Sequence, residues 1–372
     1  MKILAISHEY PPIGGGGANA CYFLLHGFAQ NGHQVTLITA NYGQRPREEQ
    51  VDGFSIIRVN AKREHKEHCS FIEMADFLVK AYFVADKVQR EEKFDVCLVF
   101  FGIPSGPIGY MLKRKYGLPY AIRFGGGDIP GTQKRFTLIY KILAPFIKGI
   151  WNNADALIAN SAGLKERALR FYRKKDFEVI CNGVDTSVYY NKENKETEKF
   201  NVLFVSRLLE RKGMQYIIPQ LSELYDKMKG NLKLTIVGDG PYRQTLEIMV
   251  KENSVQHIVD FVGQIEKQEI VQYYQSANIF ILPSDWEGMP NVVLEAMASG
   301  LPVIMTPCEG SDELINGNGY VVPSQEFGDK IYQLYCDKQL CETMSRVSRK
   351  HAEEIFSWEN AVQKYIKLLS GL

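Results

Sequence analysis

Residues 2–39, KILAISHEYPPIGGGGANACYFLLHGFAQNGHQVTLIT, contain a complete unit of strand, helix and strand. The first six residues are a short apolar run, typical of a strand that is buried on both faces. A loop rich in proline and glycine, residues 11–17, leads to a predicted helix at 18–30, which Asn31 and Gly32 end. Residues 34–39 predict the next strand. Such a unit has a right-handed crossover and places its two strands parallel in one sheet.

The alternation of strand and helix continues along the chain and starts anew after a polar stretch at 191–199. Further strands are predicted at 54–59, 96–100, 120–124, 156–159 and 178–181, and then at 202–205, 232–237, 259–261, 279–282 and 303–306. Helices are predicted at 71–90, 134–151 and 161–171, and then at 214–229, 242–252, 267–275, 292–299, 327–336, 339–354 and 360–369. We therefore expect two doubly wound α/β domains, each with a ligand crevice at the carboxyl ends of its parallel strands.

Length and composition agree with two ordinary globular domains. The chain has 372 residues, of which 45% are hydrophobic, and its net charge of +1 gives no global field that would favour nucleic acid as a partner. Basic residues are in excess in residues 1–190 and acidic residues in the remainder. This indicates either halves with different partners or an ordinary drift of surface charge. The seven cysteines include no CxxC pair, which argues against a disulfide framework or a zinc site.

The strongest chemical motif is residues 283–304, PSDWEGMPNVVLEAMASGLPVI. Glu287 lies in the loop directly after a predicted strand and Glu295 about one turn inside the next helix, so both face one crevice. An ionised carboxylate accepts strong hydrogen bonds from neighbouring sugar hydroxyls. For either glutamate alone, the alternative is an acid that the dipole of the helix stabilises. The entrance of the helix offers N–H groups that suit an anion. Its residues are Gly288, Met289, Pro290 and Asn291.

Two further stretches suit phosphate. Arg207 and Lys212 stand in the loop after the first strand of the second half, where two cations fit a diphosphate. The glycines at 14–17 open the first helix and allow a close backbone approach to phosphate or sugar. Each stretch alone has an alternative: exposed basic residues in a polar loop, and a tight turn between strand and helix. The glycines do not have the GxGxxG spacing, which disfavours a nicotinamide oxidoreductase.

Taken together, these residues resemble the retaining glycosyltransferases of family 4, whose GT-B architecture has two Rossmann-like domains facing a cleft. The resemblance runs along most of the chain. Its motifs are Tyr10-Pro11-Pro12, Gly15-Gly16, Gly32-His33-Gln34-Val35, Asn182-Gly183-Val184-Asp185, Ser206-Arg207, Lys212-Gly213, Val237-Gly238-Asp239-Gly240-Pro241, the paired glutamates and Phe356-Ser357-Trp358-Glu359. It implies an N-terminal acceptor-binding domain at 1–190, a donor-binding domain at 191–356, and a last helix at 357–372 that crosses back to the first domain.

The resemblance also implies roles for single residues. Those implied to bind the nucleotide-sugar donor are Gly15, Gly16, Arg207, Lys212, Ile265, Glu287, Gly288, Met289, Pro290, Asn291 and Glu295. Arg207 and Lys212 would hold the diphosphate and Glu287 the sugar hydroxyls, and these three are the implied catalytic residues. Glu295 would bind the ribose hydroxyls and Ile265 would contact the base. The cations would stabilise the departing diphosphate in place of a metal, so we expect no metal and no cofactor beyond the UDP-sugar or GDP-sugar substrate.

One position departs from the family pattern. Many members carry His-Gly-x-Asp in the N-terminal domain, whereas this chain has RFGGGD at 123–128, with Gly125 at the histidine position. We therefore assign no catalytic histidine, and His8 is a weak candidate for the crevice. Asp128 is a candidate for binding the acceptor or, alternatively, for capping its own loop.

The sequence therefore predicts a retaining, metal-independent glycosyltransferase that transfers a sugar from a nucleotide-diphosphate donor to a sugar or lipid-linked acceptor, in the synthesis of bacterial-type cell-surface polysaccharide or glycoconjugate. Two alternatives stay open: a sugar-nucleotide epimerase of the same fold, and a non-catalytic subunit that binds nucleotide sugars.

The amino terminus predicts a strand and not a signal peptide, and no apolar stretch is long enough to span a membrane, so we expect a cytoplasmic protein. Two basic and apolar segments, 113–116 and 134–148, suit peripheral contact with the anionic inner face of the cell membrane. The alternative for the second is an ordinary amphipathic core helix that Pro145 interrupts.

Overall fold

The computed structural model describes residues 1–66, 69–130, 137–192, 198–266 and 268–372. Within them the chain forms two compact units. We call Met1–Asn182 with Trp358–Leu372 the N-terminal unit and Gly183–Ser357 the C-terminal unit. The first unit ends before the boundary predicted at 190 and 191, and the polar stretch at 191–199 lies partly outside the described residues.

A mostly parallel sheet forms the centre of the N-terminal unit. Its strands are β1 (Lys2–Ser7), β2 (Gln34–Ala40), β3 (Glu48–Val51), β4 (Phe54–Val59), β5 (Val96–Phe100), β6 (Tyr120–Arg123), β7 (Ala156–Ala159) and β8 (Glu178–Val179). They lie in the order β3-β4-β2-β1-β5-β6-β7-β8, with only the β3–β4 pair antiparallel among the described strands. The sequence does not predict the edge strand β3, because EEQV is polar and lacks the apolar pattern of a buried strand.

Helices cover both faces of this sheet. They are α1 (Gly16–Gln30), α2 (Phe71–Glu92), α3 (Gly106–Tyr116), α4 (Thr137–Asn153), α5 (Ala162–Phe171) and, from the end of the chain, α14 (Trp358–Leu369). Successive side chains of a strand point to opposite faces, so Ile3 and Ala5 pack with α1 and α14 while Leu4 and Ile6 pack with α2 to α5. The predicted helix at 134–151 corresponds to α4, and its residues 134–136 lie outside the described residues.

A parallel sheet also forms the centre of the C-terminal unit. Its strands are β9 (Phe200–Val205), β10 (Leu232–Val237), β11 (Val259–Gly263), β12 (Ile279–Leu282), β13 (Val303–Met305) and β14 (Gly319–Val321). They lie in the order β11-β10-β9-β12-β13-β14, and every neighbouring pair is parallel. The predicted fold class of two doubly wound α/β domains is therefore confirmed.

The helices of the C-terminal unit largely follow the sequence pattern, with one correction. They are α6 (Met214–Ile217), α7 (Leu221–Lys227), α8 (Arg243–Glu252), α9 (Ile270–Ser276), α10 (Asn291–Ala298), α11 (Ser311–Leu314), α12 (Phe327–Cys336) and α13 (Lys338–Glu354). The single helix predicted at 214–229 is wrong, because a 3-10 turn at Ile218–Gln220 separates α6 from α7. This turn contains Pro219, which has no N–H to donate and whose ring disfavours a continuous helix.

The last helix, α14, packs against α1 within the N-terminal unit. Trp358 stacks on Phe23 with ring centroids 4.9 Å apart. Further along, Val362 lies against Gly27, where a Cβ would stand only 2.4 Å from Cγ2 of Val362. The absence of a side chain at Gly27 therefore sets how closely the two helices approach.

We predict that Gly27→Ala destabilises the N-terminal unit by about 1–3 kcal/mol, because the added methyl group overpacks the contact with Val362. Helix propensity alone would give the opposite sign, since alanine is about 1 kcal/mol better than glycine inside a helix. Urea unfolding measures the change, and adding Val362→Ala should recover part of the loss.

Gly149→Ala in α4 is the matched control. A Cβ at Gly149 would have no described atom within 4 Å, so the variant should stabilise the protein by up to about 1 kcal/mol. Changes of the same sign in both variants would contradict the close packing of α1 and α14.

Candidate functional site

The order of the strands in the C-terminal unit reverses between β9 and β12. From β9 the chain builds β10 and β11 on one side, and from β12 it builds β13 and β14 on the other. Connections that leave two neighbouring strands in opposite directions open a crevice at the carboxyl ends of those strands. Arg207 and Lys212 follow β9 and Glu287 follows β12, so three residues predicted from the sequence lie at the loops that border this crevice.

Lys212 and Glu287 are in contact. A 3-10 turn at Glu210–Lys212 brings Nζ of Lys212 to Oε1 of Glu287, and each side chain is only 12% exposed. The next residue allows this approach, because Gly213 has a φ of +78° and a Cβ there would lie 1.8 Å from the carbonyl oxygen of Pro283. Each charge compensates the other at a place with little access to water, where a lone charge would be costly.

The loop after Glu287 leads into α10. Pro290, the residue that precedes the helix, makes no side-chain hydrogen bond to its first turn. The backbone N–H groups at the start of a helix suit an anionic ligand. Gly288 and Asn291 are half-buried, whereas Met289 and Pro290 are buried. A Cβ at Gly310 would lie 2.4 Å from the carbonyl oxygen of Gly288. The loop that contains Gly310 therefore packs directly against the backbone before α10.

The remaining predicted donor residues of this unit occupy the same edge of the sheet. Arg207 is exposed directly beyond β9, and Ile265 is half-buried beyond β11. Glu295 is half-buried inside α10, where its Oε2 accepts a hydrogen bond of 2.8 Å from the hydroxyl of Tyr274. The hydroxyl of Tyr189 also bonds the carboxylate of Glu295. Sequence reasoning missed both tyrosines, because no spacing connects them with the motif that contains Glu295.

The glycine loop of the N-terminal unit opens α1. Gly16 is the first residue of the helix and Gly15 precedes it, without a side-chain cap among the described residues. A Cβ at Gly15 would have no described atom within 4 Å. The space beside the start of α1 is therefore open, as a close approach of a ligand requires.

Asp128 is engaged by its own loop. Its Oδ2 accepts a hydrogen bond of 2.7 Å from the N–H of Gly102, and its Oδ1 accepts bonds of 2.9 Å from Gly125 and Gly126. The residue is 6% exposed, and burial raises the pKa of its carboxyl group although the N–H donors act in the other direction. This is the loop-capping arrangement that the sequence leaves open as the alternative to acceptor binding.

The ring of Phe101 lies against Gly125, the residue at the position where the resemblance leads us to look for a histidine. A Cβ at Gly125 would stand 2.7 Å from Cε1 of Phe101, and a Cβ at Gly17 would stand 2.7 Å from its Cζ. Phe101 has a φ of +73° and packs edge-on against His8. A side chain at residue 125 would therefore require this ring to move.

His8 is buried, with 4% exposure, at the carboxyl end of β1. Burial, assisted by the charge of Arg63, lowers the pKa of its imidazole to about 3, so the ring is neutral near pH 7. The described residues contain no group of three or more His, Cys, Asp or Glu that could hold a metal ion. Among them there is also no helix with the length and apolar character needed to cross a membrane.

Two family models divide the chain between them. The model described as Glycosyltransferase Family 4 matches residues 14–188, and the model described as Glycosyl transferases group 1 matches residues 186–351. An uncharacterised glycosyltransferase of Methanocaldococcus jannaschii is 27% identical over 99% of this chain and 97% of its own. The alpha-monoglucosyldiacylglycerol synthase of Acholeplasma laidlawii is 22% identical over 96% of this chain and 95% of its own.

Solved structures agree on the fold. Sucrose-phosphate synthase from Thermosynechococcus elongatus has a TM-score of 0.82 at 21% identity, and both chains are covered completely. The Anabaena protein HepE in complex with UDP-glucose has a TM-score of 0.77 at 19% identity, again over both complete chains. With the family models covering residues 14–351 between them, the chain belongs to family 4 of the glycosyltransferases and has their GT-B fold.

Proposed function

We propose that this glycosyltransferase is a retaining, metal-independent enzyme that transfers a sugar from a UDP-sugar or GDP-sugar to a sugar or lipid-linked acceptor. The synthesis of bacterial-type cell-surface polysaccharide or glycoconjugate is the proposed setting. The observation that carries the proposal is the contact between Lys212 and Glu287 at the crevice of the C-terminal unit. In a nucleotide-sugar the sugar is bonded directly to the diphosphate, so the groups that bind the two must lie side by side, as this cation and this carboxylate do.

In the proposed reaction the bond between the anomeric carbon and the diphosphate breaks through an oxocarbenium-like state. Negative charge then builds on the departing diphosphate. Lys212, Arg207 and the N–H groups at the start of α10 would stabilise this charge. Glu287 would accept hydrogen bonds from sugar hydroxyls with the lone pairs that Lys212 leaves unused. The side-chain cations thus take the role that a divalent ion has in metal-dependent transferases.

Retention is proposed through attack on the face that the diphosphate leaves, with an oxygen of the departing diphosphate taking the proton of the acceptor hydroxyl. Support comes from the N-terminal unit, where neither the acceptor-binding candidate Asp128 nor the crevice candidate His8 is placed to act as a base. Both oxygens of Asp128 accept backbone N–H groups, and His8 is a buried imidazole of low pKa. The NMR coupling of the anomeric proton in the product reports the configuration, and an inverted product would contradict this part of the proposal.

The nature of the donor is supported by the structural relative HepE, whose complex contains UDP-glucose. The nature of the acceptor is supported by the relative from Acholeplasma laidlawii, which is named as a synthase of a glycolipid.

A peripheral contact with an anionic membrane surface is proposed for the exposed face of α4. Ile142 is 70% exposed and Phe146 is 51% exposed, and Lys141 and Lys148 are exposed beside them. Apolar side chains flanked by lysines suit the boundary between lipid headgroups and acyl chains. The segment at 113–116 is expected to contribute less to membrane binding, because Lys113 pairs with Asp155 and Lys115 pairs with Asp86.

We predict that one class of nucleoside diphosphate, tested among UDP, GDP and ADP and their sugars in the presence of EDTA, stabilises the protein against heat. At a ligand concentration of about 100 times Kd, the gain is about 2.7 kcal/mol. Arg207→Ala should abolish the shift because it removes a diphosphate cation, and Glu295→Ala should reduce it because it removes the ribose contact. Differential scanning fluorimetry measures all three proteins.

Arg346→Ala is the matched control. Arg346 is exposed on α13, a helix whose serines bond the chain just after α10, away from the entrance of that helix. This variant should keep the full shift. A nucleotide shift that needs added Mg²⁺, or one that Arg207→Ala leaves intact, would contradict the proposed site.

We predict that the protein floats with vesicles that contain anionic lipid and that the double variant Ile142→Ser/Phe146→Ser binds them at least about 100-fold more weakly, because each apolar side chain contributes about 1.5–3 kcal/mol when buried and every 1.4 kcal/mol is a factor of ten. Ile248→Ser, at an exposed isoleucine of α8 in the C-terminal unit, is the control and should bind normally. Wild-type protein that stays at the bottom of the flotation gradient would overturn the membrane proposal.

A further inference from the structure

Two tyrosines converge on the carboxylate of Glu295. The hydroxyl of Tyr274 donates to Oε2 at 2.8 Å, and the hydroxyl of Tyr189 is hydrogen-bonded to the same carboxylate. Tyr274 belongs to α9, Glu295 to α10, and Tyr189 precedes the first strand of the unit. Three segments that are distant in sequence therefore meet at one side chain.

The surroundings hold both rings firmly. Tyr274 has no exposed surface and Tyr189 is 3% exposed, and their rings meet edge to face with centroids 5.6 Å apart. Behind them, Phe280 of β12 packs against the ring of Tyr274 at 6.0 Å. A ring that is packed on several sides has little rotational freedom, so its hydroxyl points in a defined direction.

The hydroxyl groups also stay protonated. Burial and the nearby charge of Glu295 raise the pKa of Tyr274 well above 10, and the same causes raise the pKa of Tyr189. Both groups are therefore protonated near pH 7 and able to donate a hydrogen bond. The carbonyl oxygen of Val292 lies 3.4 Å from the hydroxyl of Tyr274, which makes it a much poorer acceptor than the carboxylate at 2.8 Å.

An ionised carboxylate has about four lone-pair sites, of which two phenol donors use only a part. The side chain of Glu295 is half-buried, so a ligand at the start of α10 could reach its carboxylate. A free glutamate side chain loses rotamer freedom when it binds a ligand, whereas one that is already held loses less. The two tyrosines thus leave Glu295 oriented before a ligand arrives.

We propose that Tyr274 and Tyr189 are positioning residues that hold Glu295 for the 2′- and 3′-hydroxyls of the donor's ribose, and that they thereby make the site selective for ribonucleotides over deoxyribonucleotides. The inference rests on the proposed function, since it concerns the nucleotide part of the same donor site. A site that is built to bind a hydroxyl rejects the analogue without it, because its polar groups are then left without a partner.

The test compares the Kd of UDP with that of 2′-deoxy-UDP, or of GDP with that of 2′-deoxy-GDP, according to which nucleotide the wild-type protein binds. We expect the wild type to bind the ribonucleotide at least about tenfold more tightly, in line with the loss of one charge-assisted hydrogen bond. Tyr274→Phe and Tyr189→Phe keep the ring packing and remove only the hydroxyl. Each should lower this ratio several-fold by weakening ribonucleotide binding alone.

A double-mutant cycle separates positioning from packing. In a Glu295→Ala background the ratio should be near one, and adding Tyr274→Phe should change it no further. Tyr335→Phe is the matched control, because its hydroxyl contacts Asn231 and the carbonyl of Met228 elsewhere in the unit. This control should keep the wild-type ratio. If Tyr274→Phe fails to fold, Tyr189→Phe carries the same comparison.

The outcomes distinguish the inference from the proposed function. A wild type that discriminates, together with Tyr→Phe variants that keep its ratio, would overturn the positioning role and leave the donor site intact. Equal binding of ribo- and deoxyribonucleotide by the wild type would overturn the selectivity. If the wild type binds none of these nucleotides, the proposed function itself is contradicted, and the inference falls with it.

Discussion

The site in the C-terminal unit depends on one close backbone approach. Gly213 lies against the carbonyl oxygen of Pro283 at a distance that no side chain would permit, and this contact joins the loop after β9 to the loop after β12. It brings Lys212 to Glu287 at the edge where the strand order reverses. A substitution at Gly213 would therefore separate Lys212 from Glu287, the cation and the carboxylate proposed to bind diphosphate and sugar, without changing either side chain.

Charge pairing makes this arrangement compatible with a folded protein that has no ligand. Lys212 and Glu287 are largely buried, and each compensates the charge of the other. Glu295 is held in a different way, by hydrogen bonds from the phenol of Tyr274 and from that of Tyr189. The proposed donor site thus combines one carboxylate that is paired with a cation and one that is oriented by tyrosines.

Sequence pattern predicts most of the fold because buried parallel strands are short apolar runs and the helices between them are periodic. The pattern fails at Pro219, where the missing N–H interrupts a stretch with helical periodicity and splits one predicted helix in two. It also fails at the edge strand β3, whose polar residues do not have the apolar pattern of a buried strand. The motif residues of the proposed donor site are visible in the sequence because they lie in loops that follow strands directly. The hydrogen-bond partners of Tyr274 and Asp128 could not be predicted from the sequence, because they depend on how segments distant in the chain pack together.

The most direct measurement is a crystal structure of the protein with the nucleoside diphosphate that stabilises it. We expect diphosphate oxygens within about 3 Å of Lys212 Nζ and of the Arg207 guanidinium, and ribose hydroxyls hydrogen-bonded to Glu295. A nucleotide bound away from these three residues, with Lys212 and Glu287 still paired only to each other, would contradict the proposed donor site.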